Sequence, residues 1–176
     1  DKILYLNNCN FSFNDYEKRL FNILDVCDIT TFHPYILHVY KSNKDNLIKI
    51  QEKLEKLEKF VIRRYIAKKE TKSYNKICKE FINDEAAIDN KLLETSDKEV
   101  KDGLKLISNK AATLVLFWVE LYRRAKDKKY GEKELKYVYS LEHIMPQKWE
   151  QYWKNIPVFD ESGKVITDSL AAKEIR

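Results

Sequence analysis

The chain has 176 residues, 44% hydrophobic, 12% aromatic and 35% charged, which is ample for one sizeable core and too apolar for general disorder. Its net charge of +5 is modest for a nucleic-acid binder. No apolar run approaches the roughly 20 residues that span a bilayer, and no secretory signal is read ahead of the first element. The three cysteines, Cys9, Cys27 and Cys78, form no CxxC and are odd in number. They read as small buried hydrophobes of a reducing cytoplasm, not as a disulfide set or a zinc site. Three glycines and three prolines leave long uninterrupted stretches, as helices prefer.

In chain order, Asn14 and Glu17 predict a capping box opening a helix over Asn14–Cys27, with Tyr16, Leu20, Ile23, Leu24 and Cys27 at helical spacing. Thr31 predicts the cap of a second helix, with Pro34 tolerated in its first turn. His33 and His38 lie five apart, on different faces, so packing or a surface role suits them better than a shared metal. The turn and cap Ser42–Asp45 precede a helix over Asn46–Ala67, whose Leu47, Ile50, Leu54, Leu57 and Val61 form a heptad-spaced seam. Ser73–Asn83 and Asp84–Leu93 read as shorter helices.

A second capping box, Ser96 with Glu99, predicts the longest helix, Asp97–Lys126. Val100, Leu104, Ile107, Ala111, Leu114, Trp118, Leu121 and Ala125 form its seam, and Leu116, Phe117 and Val119 widen the apolar face. This reads as the central core helix. Gly131 ends the helical region, and Tyr137–His143 then reads as a strand stopped by Pro146. Gln147–Asn155 is helical in pattern, Val158–Thr167 a hairpin around Ser162-Gly163, and Asp168–Arg176 a helical turn that stops without a cap.

The chemistry concentrates near Val138–Pro146, "VYSLEHIMP". Phosphodiester hydrolysis needs a base to deprotonate water and a cation to stabilise the departing oxygen. A histidine suits the first task, and a hard carboxylate can hold magnesium for the second. Glu142 and His143 offer both groups if the strand end twists so that they are not opposed. Just upstream, Arg123–Lys136 holds seven basic residues against three acidic ones. Arg123, Arg124, Lys126, Lys128 and Lys129 are either a solvated helix end or a phosphate-facing patch. Arg63-Arg64 is open between a structural ion pair and a phosphate or interdomain contact. Trp149 and Trp153 are open between packing and base stacking.

"SLEHIMPQKW" resembles the first motif of the HNH, or ββα-metal (His-Me finger), nucleases in the form found in the GmrSD C-terminal domain, (I/V)EHI(L/M)PQ. The resemblance extends to "FHPYIL", "FVIRRYI", "TKSYNK" and "TLVLFWVELYRR", which look like that family's preceding helical region. It implies a modification-dependent or phage-defence DNA endonuclease in which a ParB-like, nucleotide-using N-terminal domain precedes the helical region. Carried over, His143 is the general base, Glu142 a contact to a divalent metal (Mg²⁺ or a relative), and Pro146 and Gln147 shape the loop after the first strand. The family's following Gly-Asn-Leu strand and later Asn or His do not appear. The chain is therefore expected to be a fragment, inactive alone.

The expected architecture is mainly α: a helical, bundle-like domain over 1–135, then an incomplete ββα-metal element over 136–176. The expected partners are DNA and the ParB-like domain, in the cytoplasm and with no membrane. A rival reading is a non-catalytic helical adaptor for protein or nucleic acid, with Glu142-His143 structurally ordinary.

Overall fold

The computed structural model describes residues 9–142, 157–160 and 162–166. Among them the helical spacing becomes seven helices: α1 (Tyr16–Val26), α2 (His33–Ser42), α3 (Leu47–Ile66), α4 (Tyr74–Asn83), α5 (Ala87–Leu93), α6 (Asp97–Lys105) and α7 (Asn109–Lys126). Two short strands follow, β1 (Val158–Phe159) and β2 (Val165–Ile166). The chain is mainly helical. By its contacts it divides into two units, Asp1–Leu141 and Glu142–Arg176.

The first unit is organised by α3, which packs against α1, α2, α5 and α6. Ile50, Leu54, Leu57 and Val61 are all buried, as their seam spacing requires, whereas Leu47 at the head of the seam is 70% exposed. Each fully buried leucine contributes roughly 1.5–3 kcal/mol, so this stripe is enough to fix α3 in the centre. Phe32, Phe60, Tyr74 and Phe81 close the core, with the Phe32 ring 5.7 Å from Phe60 and 5.1 Å from Tyr74.

Helix ends follow local chemistry, with corrections to the predicted caps. The N-cap of α1 is Asp15, not Asn14, and it makes no side-chain capping bond. Its carboxylate turns back instead to accept from the Ser12 amide at 2.7 Å and the Ser12 hydroxyl at 3.0 Å. Glu17, free of capping duty, accepts from the Tyr40 hydroxyl. Phe32 rather than Thr31 occupies the N-cap of α2, because its ring is needed in the core; Pro34 sits in the first turn as expected. Asn46, not a residue of the Ser42–Asp45 turn, caps α3 by accepting from the Lys49 amide at 2.9 Å.

At their other ends α1 and α3 stop alike. Asp28 (φ 56°) and Lys68 (φ 54°) adopt the left-handed conformation. The paired bonds Asp28 N–H to Asp25 O with Ile29 N–H to Leu24 O, and Lys68 N–H to Tyr65 O with Lys69 N–H to Arg64 O, are Schellman closures. Neither uses glycine, so the sequence carries no signal for them.

The predicted helix over 97–126 is two helices. Leu106 and Ile107 leave the helical path, and Ser108 (φ −75°, ψ 157°) starts a new one by accepting from the Ala111 amide at 3.3 Å. A serine hydroxyl offers the backbone an alternative to continuing. The break has a packing cause as well: α6 buries no residue, and Leu104 and Leu106 are exposed. After the break α7 buries Ala111, Leu114, Phe117 and Leu121, while Leu116 and Val119 face outwards. The central helix is therefore α3, not the 97–126 segment.

The predicted strand over Tyr137–His143 is corrected for its described part, 137–142, which has no regular structure. A strand needs a partner, and alternation does not supply one. The pairing that does form is one residue pair upstream, where Phe11 and Leu135 exchange both backbone bonds, at 3.0 and 2.9 Å. Val138 N–H then bonds Lys136 O at 2.9 Å, which turns the chain aside. His143, the predicted helix Gln147–Asn155 with Trp149 and Trp153, and the terminal turn lie outside the described residues. In the second unit, β1 and β2 form the antiparallel hairpin expected around Ser162-Gly163, with Val158 opposite Ile166. Gly163 takes a φ of 80° there.

Candidate functional site

The described half of the Glu142-His143 pair is Glu142, which is exposed. It makes no salt bridge among the described residues. After α7 the chain runs through a second, smaller apolar cluster, Phe11, Phe117, Leu121 and Leu135, with Phe13 and Tyr137 packed against them and Tyr137 packed against the main core as well. Phe117 is the hub, with the rings of Phe11 at 5.6 Å, Tyr137 at 5.0 Å and Tyr139 at 6.0 Å. Tyr139, three residues before Glu142, is the last of these contacts.

The five basic candidates separate into two kinds. Arg123 and Arg124, one turn before the end of α7, both reach Glu120, at 3.5 and 2.9 Å. Arg123 also meets the Tyr130 hydroxyl at 3.3 Å, and Arg124 donates to Glu132 O at 3.1 Å and lies over the Tyr130 ring at 5.2 Å. They fold the loop after α7 back onto the helix. Lys126, Lys128 and Lys129 are exposed and have no salt bridge among the described residues. Lys126 lies 5.7 Å from the Tyr122 ring, and Lys129 contributes its backbone amide to Asp127 at 2.9 Å. All of these cations suit the negative end of the α7 dipole. Glu120 carried a readable signal, since it stands three and four residues before the two arginines.

The other candidates are occupied. Arg63 bonds Thr95 O at 2.6 Å and Asp97 at 2.7 Å, an ion pair to the face of α6. Arg64 is buried over Phe60 and Tyr74 and donates to Glu70 O at 2.9 Å. His38 approaches the Ser42 hydroxyl at 3.4 Å, while His33 borders a shallow cleft with Asp25 and Asp28. A cleft of about 290 Å³ between the end of α3 and the start of α7 contains Cys27, Tyr65, Lys69 and Ser108. Burial pushes the Cys27 thiol up to about 12, so it is no nucleophile at neutral pH. Among the described residues no three His, Cys, Asp or Glu side chains converge on a metal position, and no helix is long and apolar enough to cross a membrane.

Arg19 and Glu58 form a buried ion pair, which sequence reading missed. The guanidinium of α1 makes two bonds of 2.6 Å to the carboxylate of α3. It also donates to Phe13 O and stacks on the Phe13 ring at 4.2 Å. Burial raises the Glu58 carboxyl above its ordinary value, with Arg19 pulling against it. Trp118 pulls the same way, although its indole N–H falls short of a well-formed hydrogen bond. This is a structural tie with no access for a substrate.

No family model, curated protein or solved structure matches the chain.

Proposed function

We propose that this chain is the helical region and the first half of the nuclease finger of a GmrSD-like, HNH-type DNA endonuclease acting in the cytoplasm in restriction or phage defence. The observation that carries the reading is the sequence "SLEHIMPQ". Two structural features support it: Glu142 is exposed, and Lys126, Lys128 and Lys129, in the basic stretch that precedes the motif in sequence, are exposed and have no salt bridge among the described residues. In this reading His143 takes the proton from the attacking water. The Glu142 carboxylate, a hard oxygen donor without a salt bridge among the described residues, fits a divalent cation such as Mg²⁺. Such an ion stabilises the developing charge on the departing oxygen when bound. The lysines neutralise DNA phosphates, Arg123 and Arg124 hold the loop that presents them, and the helical surface docks the ParB-like domain that handles a nucleotide.

A second reading, a non-catalytic adaptor, is favoured by one observation. Leu116, Val119 and Tyr122 expose an apolar stripe along α7, as a partner-binding helix would. Plasmid nicking in Mg²⁺ separates the two. The natural full-length protein is expected to nick, His143→Ala to lower the rate at least about 100-fold, and the 176-residue chain alone to be inactive. A full-length protein that binds DNA without ever cutting it decides for the adaptor. Nicking by the isolated chain, lost in His143→Ala, refutes the half-finger reading.

A further inference from the structure

We propose that the cleft between the second half of α3, the α5–α6 turn and α7 binds a small organic monocarboxylate with an aliphatic or aromatic body. The cleft measures about 680 Å³, within the range of roughly 300–1,000 Å³ that encloses a small ligand. Its apolar walls are Ile62 of α3, Leu92 and Leu93 at the end of α5, and Trp118 of α7. Leu92 and Trp118 rest on the main core, whereas Leu93 is 83% exposed. All of these residues belong to the first unit, and the cleft is independent of the nuclease reading.

The polar groups of the cleft ask for one anion. Lys59 and Arg63 stand one turn apart on α3 and so share a face; both line the cleft. Lys59 is exposed and has no salt bridge among the described residues. Arg63 commits a single nitrogen, Nη2, to the Thr95 carbonyl and the Asp97 carboxylate. Two cations therefore face one carboxylate, and a monoanion balances the excess. Thr95 supplies the second indication. It is only 2% exposed and lines the cleft, yet its hydroxyl has no hydrogen-bond partner among the described residues. A buried hydroxyl left unmet costs stability. Turning about χ1 exchanges its methyl and hydroxyl positions, so an acceptor oxygen entering the cleft gives the hydroxyl the bond that it lacks. Trp118 provides a wall and not a donor, because its indole N–H faces Glu58 in the core. Donors beside apolar walls fit a carboxylate on a hydrocarbon body, and the single excess charge fits it better than a phosphate dianion.

Titration of the 176-residue chain with hydrocinnamate, followed by heteronuclear NMR, tests the site. Saturable shifts are expected at the backbone amides of Arg63, Thr95 and Ser96 and at the Trp118 indole, with a Kd below about 1 mM. The neutral hydrocinnamamide is expected to bind at least about tenfold more weakly, since it lacks the charge that the two cations face. Lys59→Met, at an exposed position that does not threaten the fold, is expected to weaken the acid about threefold and to leave the amide unchanged. Thr95→Val removes the hydroxyl at nearly constant volume. It is expected to weaken the acid about fivefold while the urea midpoint of the ligand-free chain holds or rises. A midpoint that falls, with affinity for the acid unchanged, shows a structural hydroxyl and overturns its role in the site. No saturable shift up to about tenfold above that Kd, equal binding of acid and amide, or shifts centred elsewhere overturns the cleft as an acid site. Saturation by an N-acetylated dipeptide ending in phenylalanine, with no response to hydrocinnamate, overturns the small acid in favour of a peptide terminus.

Discussion

Glu99 serves two partners at once. It completes the Ser96 capping box, accepting from the Ser96 amide at 2.8 Å and the hydroxyl at 2.9 Å, and it pairs with Lys69 after α3. Lys69 first, and the Ser96 donors after it, push the carboxyl down to about 2 from its ordinary 4.5. A group held lower in the folded than in the unfolded chain stabilises the fold above its unfolded value and loses that contribution as pH falls through the folded one. Glu99→Gln is therefore expected to melt below wild type at pH 5–7, with the difference shrinking as pH falls from the ordinary carboxylate range through about 2; thermal melts across that range check it. The capping box was readable from Ser96 and Glu99 alone. Lys69 was not, because it comes from 30 residues away.

Between elements, α6 approaches the backbone at the end of α3 closely at Gly103. A Cβ there would lie 2.1 Å from the Ile66 carbonyl oxygen and 2.8 Å from its carbon, far inside contact distance. Both atoms are backbone at the end of α3, so neither can swing away. Gly103→Ala is expected to push α6 off α3 and to destabilise the fold by roughly 1–3 kcal/mol, read as a lower urea midpoint. The stretch with continuous helical spacing nevertheless breaks at 106–108. The seam Val100, Leu104, Ile107 runs on in sequence, but α6 buries none of its residues and Leu104 is exposed. Ser108 supplies a new cap where the direction must change.

Across the whole unit, Arg19 and Glu58 tie α1 to α3 and both to the Phe11–Phe13 segment. Breaking a buried pair on one side strands the other charge, whereas replacing both partners with apolar groups removes the desolvation cost. Glu58→Gln is expected to lower stability by roughly 3–5 kcal/mol, and Arg19→Met with Glu58→Leu to recover most of that loss. Denaturant unfolding of the single and double variants measures it. Equal losses in the two would show that the pair is valued for its link to Phe13 and not for its charge.

What the sequence by itself determined was local: the α3 seam from Ile50 to Val61, the cap at Ser96, and the turn at Ser162-Gly163. These rest on contacts between residues within about one helical turn of each other, or on the φ that a turn demands, and spacing reports them directly. Glu142-His143 was likewise visible only as a motif. Tertiary structure decided the rest. It placed Glu58 in the core opposite an arginine 39 residues away, and it paired Leu135, upstream of the expected strand, with Phe11. It engaged Arg123 and Arg124 through Glu120 and the loop that follows while leaving three lysines exposed. Those outcomes depend on which surfaces meet when the α3 stripe is buried, and no periodicity along the chain encodes the identity of a distant partner.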